Sequence, residues 1–502
     1  MLLGTLSSQF GPLSGLLETR QLAVICSICL ALILAWKCCR VETNPSKHGR
    51  LPHLALLTDE EIYDTPIQSM SRALRTHGSV VGFKRNGNID YLVAKEHAQR
   101  VLTDESSFSF EGGLAGMLGI TWIRHLHGGS FFRDIDGTMR AFSTRRMNHI
   151  VPEIWPLFEK AAESLVTNAG AGAVDIQPHL QQAMAEGTIK IFLSEKYNRA
   201  DFKERMIKIA TDIAYLTGLD PNRSFLSRKF PLLWHAVKVI HIALVRLPLN
   251  IGPSLAWELW VDISRDVQDY DPEDSTIFSY LSRRSTVKGD KLSFSAKLWN
   301  MVLVLTVMFG ATHQTIVSMI WVTFFLAQHP DSQESIRKEA SSITEAGGAF
   351  KLEGLHSAVL TDSFIREALR TKGDSVNAVR QSVQDVELDG FTIPKGSLVF
   401  PFTYQCYRDS DLMENANEFI GNRWVGTGKS ATTTGLEYPA FGLGRWACPG
   451  RFLAINELKC WILALVARSR LELDGGKYEV MDAFNITACA PDGKLLVSRV
   501  EA

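Results

Sequence analysis

The chain has 502 residues, 46% of them apolar, and 53 Lys+Arg against 54 Asp+Glu leave a net charge of -1. Balanced charge gives no global basic field for nucleic acid, and 18 Pro, 37 Gly and 21% charged residues exclude collagenous or broadly disordered chains. The length admits about three domains or one large enzyme fold.

Cys26, Cys29, Cys38 and Cys39 lie in or beside one apolar N-terminal segment, so the cysteines form no disulfide framework. Cys26 and Cys29 make a CxxC with no second pair, and zinc is not expected there. Leu22 to Trp36 carries no charge and is flanked by Arg20, Lys37 and Arg40. As a helix it reaches about 22 Å, short of the roughly 30 Å hydrocarbon core. Trp36, a snorkelling Lys37 and the two following cysteines complete a predicted span over residues 22–39. No small-residue cleavage site follows, and the basic cluster does. This predicts a retained single-pass anchor behind an N-terminal segment 1–21, with the rest of the chain cytosolic. Residues 40–57, with Pro45 and Pro52, read as a hinge, and the folded body is predicted over 58–502.

Gly78 to Val93 holds two β-rich runs around Asn86-Gly87-Asn88, a predicted hairpin. Phe108 to Gly129 is rich in glycine and apolar residues and reads as a flexible loop over a pocket. Leu298 to Ala327 is apolar throughout, and its length alone would allow a membrane span. The polar cluster Gly310-Ala311-Thr312-His313-Gln314-Thr315 at its midpoint would be costly in lipid. A buried helix lining a reaction chamber is the better expectation. Gly426 to Gly435 (GTGKSATTTG) reads as one surface loop.

Phe441-Gly-Leu-Gly444-Arg445-Trp446-Ala-Cys448-Pro-Gly450 runs directly into the apolar helical pattern RFLAINELKCWILALVA. A cysteine at a helix N-terminus meets free backbone N–H groups and the positive dipole end, which favour the thiolate that binds metals. The glycines permit close approach of backbone to a flat macrocycle. From these residues alone, an inert buried cysteine remains the commoner outcome.

The pattern Phe441-x-x-Gly444-x-x-x-Cys448-x-Gly450 resembles the haem-binding signature of the cytochrome P450 enzymes, in a form similar to fungal members. Glu367-Ala-Leu-Arg370 matches the family's Glu-x-x-Arg motif, and Phe419-Ile-Gly-Asn-Arg423-Trp424 its downstream aromatic-Arg segment, in the right order. The resemblance implies a mainly α fold with small β-sheets behind one N-terminal transmembrane helix. It implies haem b with Cys448 as the axial thiolate on iron, and a structural lock of Glu367, Arg370 and Arg423. Arg380 falls where the family often places a propionate ligand. Phe441, Gly444, Arg445, Trp446 and Gly450 complete the expected cofactor contacts, although Trp446 replaces the usual His or Arg.

The family's acid-alcohol pair on the central helix aligns with His313 and Gln314, so the usual threonine that helps deliver protons during oxygen activation is replaced. Thr315 could substitute if the helix register shifts, and His313 suits proton traffic near neutral pH. The implied activity is an endoplasmic-reticulum monooxygenase hydroxylating or epoxidising a small hydrophobic natural product in fungal-type secondary metabolism. Its electrons would come from NADPH through a separate cytochrome P450 reductase, since no flavin-binding sequence follows the haem loop. The alternative is a reductase-independent haem-thiolate isomerase or dehydratase acting on a peroxide substrate, a branch with no need of the threonine.

Overall fold

The computed structural model describes residues 50–500 apart from 86–87, 171, 217–236, 239, 264–275, 285–292 and 349. The predicted anchor at 22–39 lies outside the described residues. In chain order the elements are β1 (His53–Ala55), α1 (Asp59–Tyr63), α2 (Pro66–His77), β2 (Val80–Arg85), β3 (Asn88–Val93), α3 (Lys95–Thr103), β4 (Phe108–Ser109) and α4 (Phe110–Met117). A 3-10 segment at Thr121–Gly129 leads to the long α5 (Phe131–Ala169), then α6 (Gln177–Phe192), α7 (Ala200–Leu216), α8 (Leu247–Ile263) and α9 (Ile277–Arg284). The central α10 (Phe294–Ala327) is followed by α11 (Pro330–Glu345), α12 (Leu352–Ser357) and α13 (Val359–Thr371). Short strands β5 (Arg380–Ser382), β6 (Val386–Leu388), β7 (Phe391–Ile393) and β8 (Leu398–Pro401) precede α14 (Thr403–Tyr407). The cysteine loop then opens α15 (Arg451–Val466), and β9 (Ser469–Leu473) and β10 (Leu495–Arg499) close the chain.

The described residues begin with a strand inside the segment read as a hinge. His53–Ala55 lies parallel to β2, with His53 opposite Val81, and the helix after it is fixed by a reciprocal cap. Thr58 Oγ1 accepts from Glu61 N at 3.1 Å, and Glu61 Oε2 accepts from Thr58 N at 3.0 Å, which satisfies two otherwise orphaned amides. The hinge at 40–57 therefore does not extend through its C-terminal end.

The predicted hairpin forms: Val80 pairs with Val93 and Arg85 with Asn88 in an antiparallel ladder. It sits inside a six-stranded sheet of order β1-β2-β3-β8-β5-β4. Val399 of β8 lies between Tyr91 of β3 and Arg380 of β5, which places Arg380 in a strand flanked by β8 and β4.

Helices supply most of the core. The apolar Leu298 to Ala327 stretch lies in α10, capped by Ser293 Oγ accepting from Ala296 N at 3.2 Å. It packs on α6, α8, α9, α13 and α15, and from Ile316 to Ala327 it is buried except at Ser318. An all-round apolar helix of this kind belongs inside a protein. This one is internal.

Phe108 to Gly129 is not a loop. Ser109 Oγ accepts from Gly112 N at 3.0 Å and caps α4. A Cβ on Gly113 would come within 2.6 Å of Arg380 Cα, so glycine here brings a helix onto the β5 backbone instead of loosening the chain. Gly426 to Gly435 does lack helix and strand, but it is docked through Ala431, which is fully buried and donates its N–H to Asp362 Oδ1 at 2.7 Å.

Candidate active site

The cysteine loop is closed by its own backbone. Cys448 N donates to Phe441 O at 2.8 Å, and Gly442 and Gly444 take φ of 73° and 71°, a region costly for other residues. Gly450 caps α15 and lies against Cys448 Sγ and Met139 of α5. Cys448 is accessible, yet enough protein surrounds it for burial to dominate its ionisation, as expected of a side chain on an interior wall. Burial pushes the thiol up; the amides of Gly450 and Arg451 and the Arg451 charge pull it down without prevailing. Burial thus opposes the thiolate that the helix N-terminus favours. A cation against the sulfur would favour it.

Arg380 is the second distinctive group. It is buried, with Nη1 donating to Val379 O at 3.0 Å and Nη2 to Leu102 O at 3.1 Å. No carboxylate pairs with it among the described residues, and burial lowers its pKa to about 10 against weak support from Glu105. Its guanidinium lies 5.2 Å from the Phe110 ring, Phe110 stacks on Trp446 at 4.8 Å, and the Arg445 guanidinium lies 4.8 Å from the Trp446 ring. Each of the two stacked rings thus has a guanidinium beside it, an attractive arrangement for both. Arg380, Arg445 and Trp446 are brought together here. Arg445 Nη1 is already engaged with Asp136 Oδ2 at 2.8 Å, while Asp136 also accepts from Arg140 at 2.9 Å.

Glu367, Arg370 and Arg423 also converge. Arg370 makes a two-pronged contact with Glu367, Nε to Oε2 at 2.9 Å and Nη2 to Oε1 at 2.7 Å. Its remaining donor reaches the carbonyls of Tyr407 and Ala416 at 2.7 and 2.6 Å. Trp424 Nε1 completes the carboxylate's shell at 3.0 Å from Oε2. Burial would raise the Glu367 pKa, but the hydrogen bonds and charges of Arg370 and Arg423 hold it below the usual carboxylate value.

On α10 the three candidate residues separate. At about 100° per residue, positions four apart share a face. Thr306, Gly310, Gln314 and Ser318 form such a row of partly or fully accessible positions, and a Cβ on Gly310 would meet nothing within 4 Å. Gln314 belongs to this open row. Thr315 is buried on the other side, near Thr312, whose Oγ1 is 3.1 Å from Thr188 Oγ1 of α6. His313 stacks on Phe309 at 5.5 Å and donates from Nε2 to Ala488 O at 3.0 Å.

A family model described as Cytochrome P450 matches residues 49–496. The chain belongs to the cytochrome P450 family. Among curated relatives, cytochrome P450 monooxygenase CYP512U6 of Ganoderma lucidum is 32% identical over 38% of this chain and 39% of its own length. Cytochrome P450 monooxygenase calE of Penicillium decumbens is 32% identical over 39% and 38%. The 25-hydroxycholesterol 7-alpha-hydroxylase of Rattus norvegicus is 30% identical over 34% and 45%. The chain thus spans about two fifths of these relatives. Retinoic acid bound cyanobacterial CYP120A1 shares the fold, with TM-score 0.63 and 16% identity over 90% of this chain and all of that one.

Haem, the prosthetic group of the P450 family, fits the donor set. Cys448 offers an accessible sulfur at the head of a helix, and Arg380 offers a buried guanidinium that meets only carbonyls and could take a carboxylate.

Several contributors escaped sequence reasoning. Arg366 is fully buried beside Trp424 and Tyr438, 4.3 and 3.9 Å from their rings, and holds the carbonyl of Ser430 at 2.7 Å. It precedes Glu367 directly, and only its place on the buried face of α13 distinguishes it. Phe110 lies in the segment read as a loop over a pocket but was not singled out within it, and Asp136 lies outside every motif the sequence offered.

Proposed function

We propose that this P450 is a haem-thiolate monooxygenase acting on a small hydrophobic substrate of fungal-type secondary metabolism by hydroxylation or epoxidation. The observation carrying this reading is the pairing of an accessible Cys448 at the head of α15 with the buried, carboxylate-free Arg380. The names of the matched fungal monooxygenases support the activity. Haem bound there would supply an iron centre for reductive oxygen activation, with electron donation from the thiolate. Cys448 would hold the iron and Arg380 a propionate. Phe441, Gly444 and Gly450 would shape the loop, and Trp446 would pack the Arg380 side of the cofactor.

The chain's own part in the chemistry is to orient substrate and manage protons. Gln314, on the open row, can donate and accept through its amide and so hold a water, but it cannot titrate. A bilayer anchor at residues 22–39, an endoplasmic-reticulum location and electrons from NADPH through a separate reductase belong to the same proposal. Gln314 also favours a second reading, the reductase-independent rearrangement of a peroxide substrate.

A carbon monoxide difference spectrum of expressed membranes tests both, reducing once with NADPH plus reductase and once with dithionite. A thiolate-type Soret band with either reductant is the expected result. A band with dithionite alone would favour the second reading, and no band in folded protein would end the haem-thiolate assignment.

A further inference from the structure

The turn at residues 485–489 is gripped one residue at a time. Ala488 N and Cys489 N both donate to Asn485 O, at 2.8 and 2.9 Å, which closes the turn on itself. Ile486 is buried in the main core. Thr487 Oγ1 donates to Asp374 Oδ1 at 3.0 Å, and Asp374 is paired with Lys372 just beyond α13. The next two carbonyls go to α10: Ala488 O accepts from His313 Nε2 at 3.0 Å and Cys489 O from Trp321 Nε1 at 3.2 Å. Two side chains of α10, about two turns apart, thus hold successive carbonyls of one turn. The other flank is tied to the segment leading into β5.

His313 is fixed for this task. A carbonyl can only accept, so Nε2 carries the hydrogen, and the stack on Phe309 one turn earlier sets the ring plane. Passing a proton onward through Nε2 would require breaking the contact. We propose that His313 is a positioning residue: its Nε2–H clamps the 485–489 turn against α10 beside the open row of Thr306, Gly310 and Gln314. It thereby sets the width of the substrate space. The substrate part of this proposal rests on the haem-thiolate reading above; the clamp itself does not.

The polarity-matched pair His313→Gln and His313→Asn tests the clamp in the full-length holoprotein. Glutamine keeps an amide donor at comparable reach, and asparagine falls one methylene short. The first readout is hydrogen exchange of the 485–490 amides. The second is the affinity ratio of 1-phenylimidazole to imidazole by optical titration, because only the phenyl ring needs room beyond the metal. His313→Asn is expected to speed exchange and shift the affinity ratio about fivefold each, the size of one lost hydrogen bond. His313→Gln should stay within about twofold of the parent in both. Equal exchange and equal ratios in all three proteins overturn the proposal. So does equal disturbance by both variants, or an effect confined to the yield of oxidised product. If the parent lacks a thiolate-type carbon monoxide band, the haem reading fails while the exchange comparison still decides the clamp.

Discussion

Arg423 donates from Nε to Glu367 Oε1 at 2.9 Å across 56 residues of chain, and shares that oxygen with Arg370 Nη2 at 2.7 Å. One fully buried carboxylate therefore holds two guanidinium groups, and those groups in turn hold carbonyls of residues 407–418. Removing the shared anion leaves the buried Arg370 and the partly buried Arg423 without their common counter-charge. Glu367→Gln is expected to destabilise the protein by about 3–5 kcal/mol. Chemical denaturation should show it, together with loss of haem from purified protein.

The same carboxylate predicts an acid limb. Its pKa is held below the ordinary 4.5 in the folded state, so the unfolded chain binds the proton more readily. The stabilisation is present above about pH 4.5 and is lost as pH falls through the lowered value. Melting temperature measured from pH 7 down to pH 3 should drop for the parent and change less for Glu367→Gln.

Glu457 carries the opposite sign. It lies in α15 with Oε2 lacking a hydrogen-bond partner among the described residues, and burial pushes its pKa up to about 8. The folded state therefore holds a proton that the unfolded chain releases near 4.5, and stability falls as pH rises from about 4.5 to about 8. Glu457→Gln should flatten that slope and gain on the order of 2 kcal/mol at pH 8. Equal slopes in parent and variant would show that this carboxyl titrates normally.

Legibility in the sequence followed locality. The cysteine loop could be matched to a family signature because Phe441, Gly444, Cys448 and Gly450 are neighbours whose backbone contacts close within the segment, but the residues alone left an inert cysteine the commoner outcome. The one-turn spacing of Glu367 and Arg370 shows only a helical ion pair; their place in a buried lock with Arg423 was legible through the resemblance alone. The helix at Phe110–Met117 could not be read, since Gly112, Gly113 and Gly116 argue against a helix on propensity. What forms it is the Ser109 cap and the close fit of Gly113 on β5, a contact across more than half the chain. His313 was legible as a polar residue on an apolar helix, but its partner lies 175 residues away.

Arg380→Leu should separate the protein from its cofactor. In the chain alone the guanidinium is buried against carbonyls, so replacing it with an apolar side chain should leave the apoprotein as stable or more so. In the loaded protein, a charge-assisted bond to a carboxylate would be lost. Haem dissociation to an apomyoglobin acceptor should accelerate about 10- to 100-fold. Lower apoprotein stability with unchanged haem release would instead make Arg380 a structural residue of the sheet.

Gln314 and Thr315 can be told apart without knowing the substrate. With reductase and NADPH, the measurable quantity is hydrogen peroxide released per NADPH oxidised. Gln314 lies on the open row with Gly310, whereas Thr315 is only 5% exposed. A hydroxyl restored at the open position can donate a proton relayed from water, which an amide does poorly. Gln314→Thr should therefore cut peroxide release about tenfold. Thr315→Val should leave the ratio within about twofold, because its hydroxyl does not face the same space. The reverse result, with Thr315→Val raising peroxide and Gln314→Thr inert, would mean that α10 shifts register when the site is loaded. NADPH oxidation that stays negligible in all three proteins would point instead to the peroxide-rearranging activity, for which the threonine has no task.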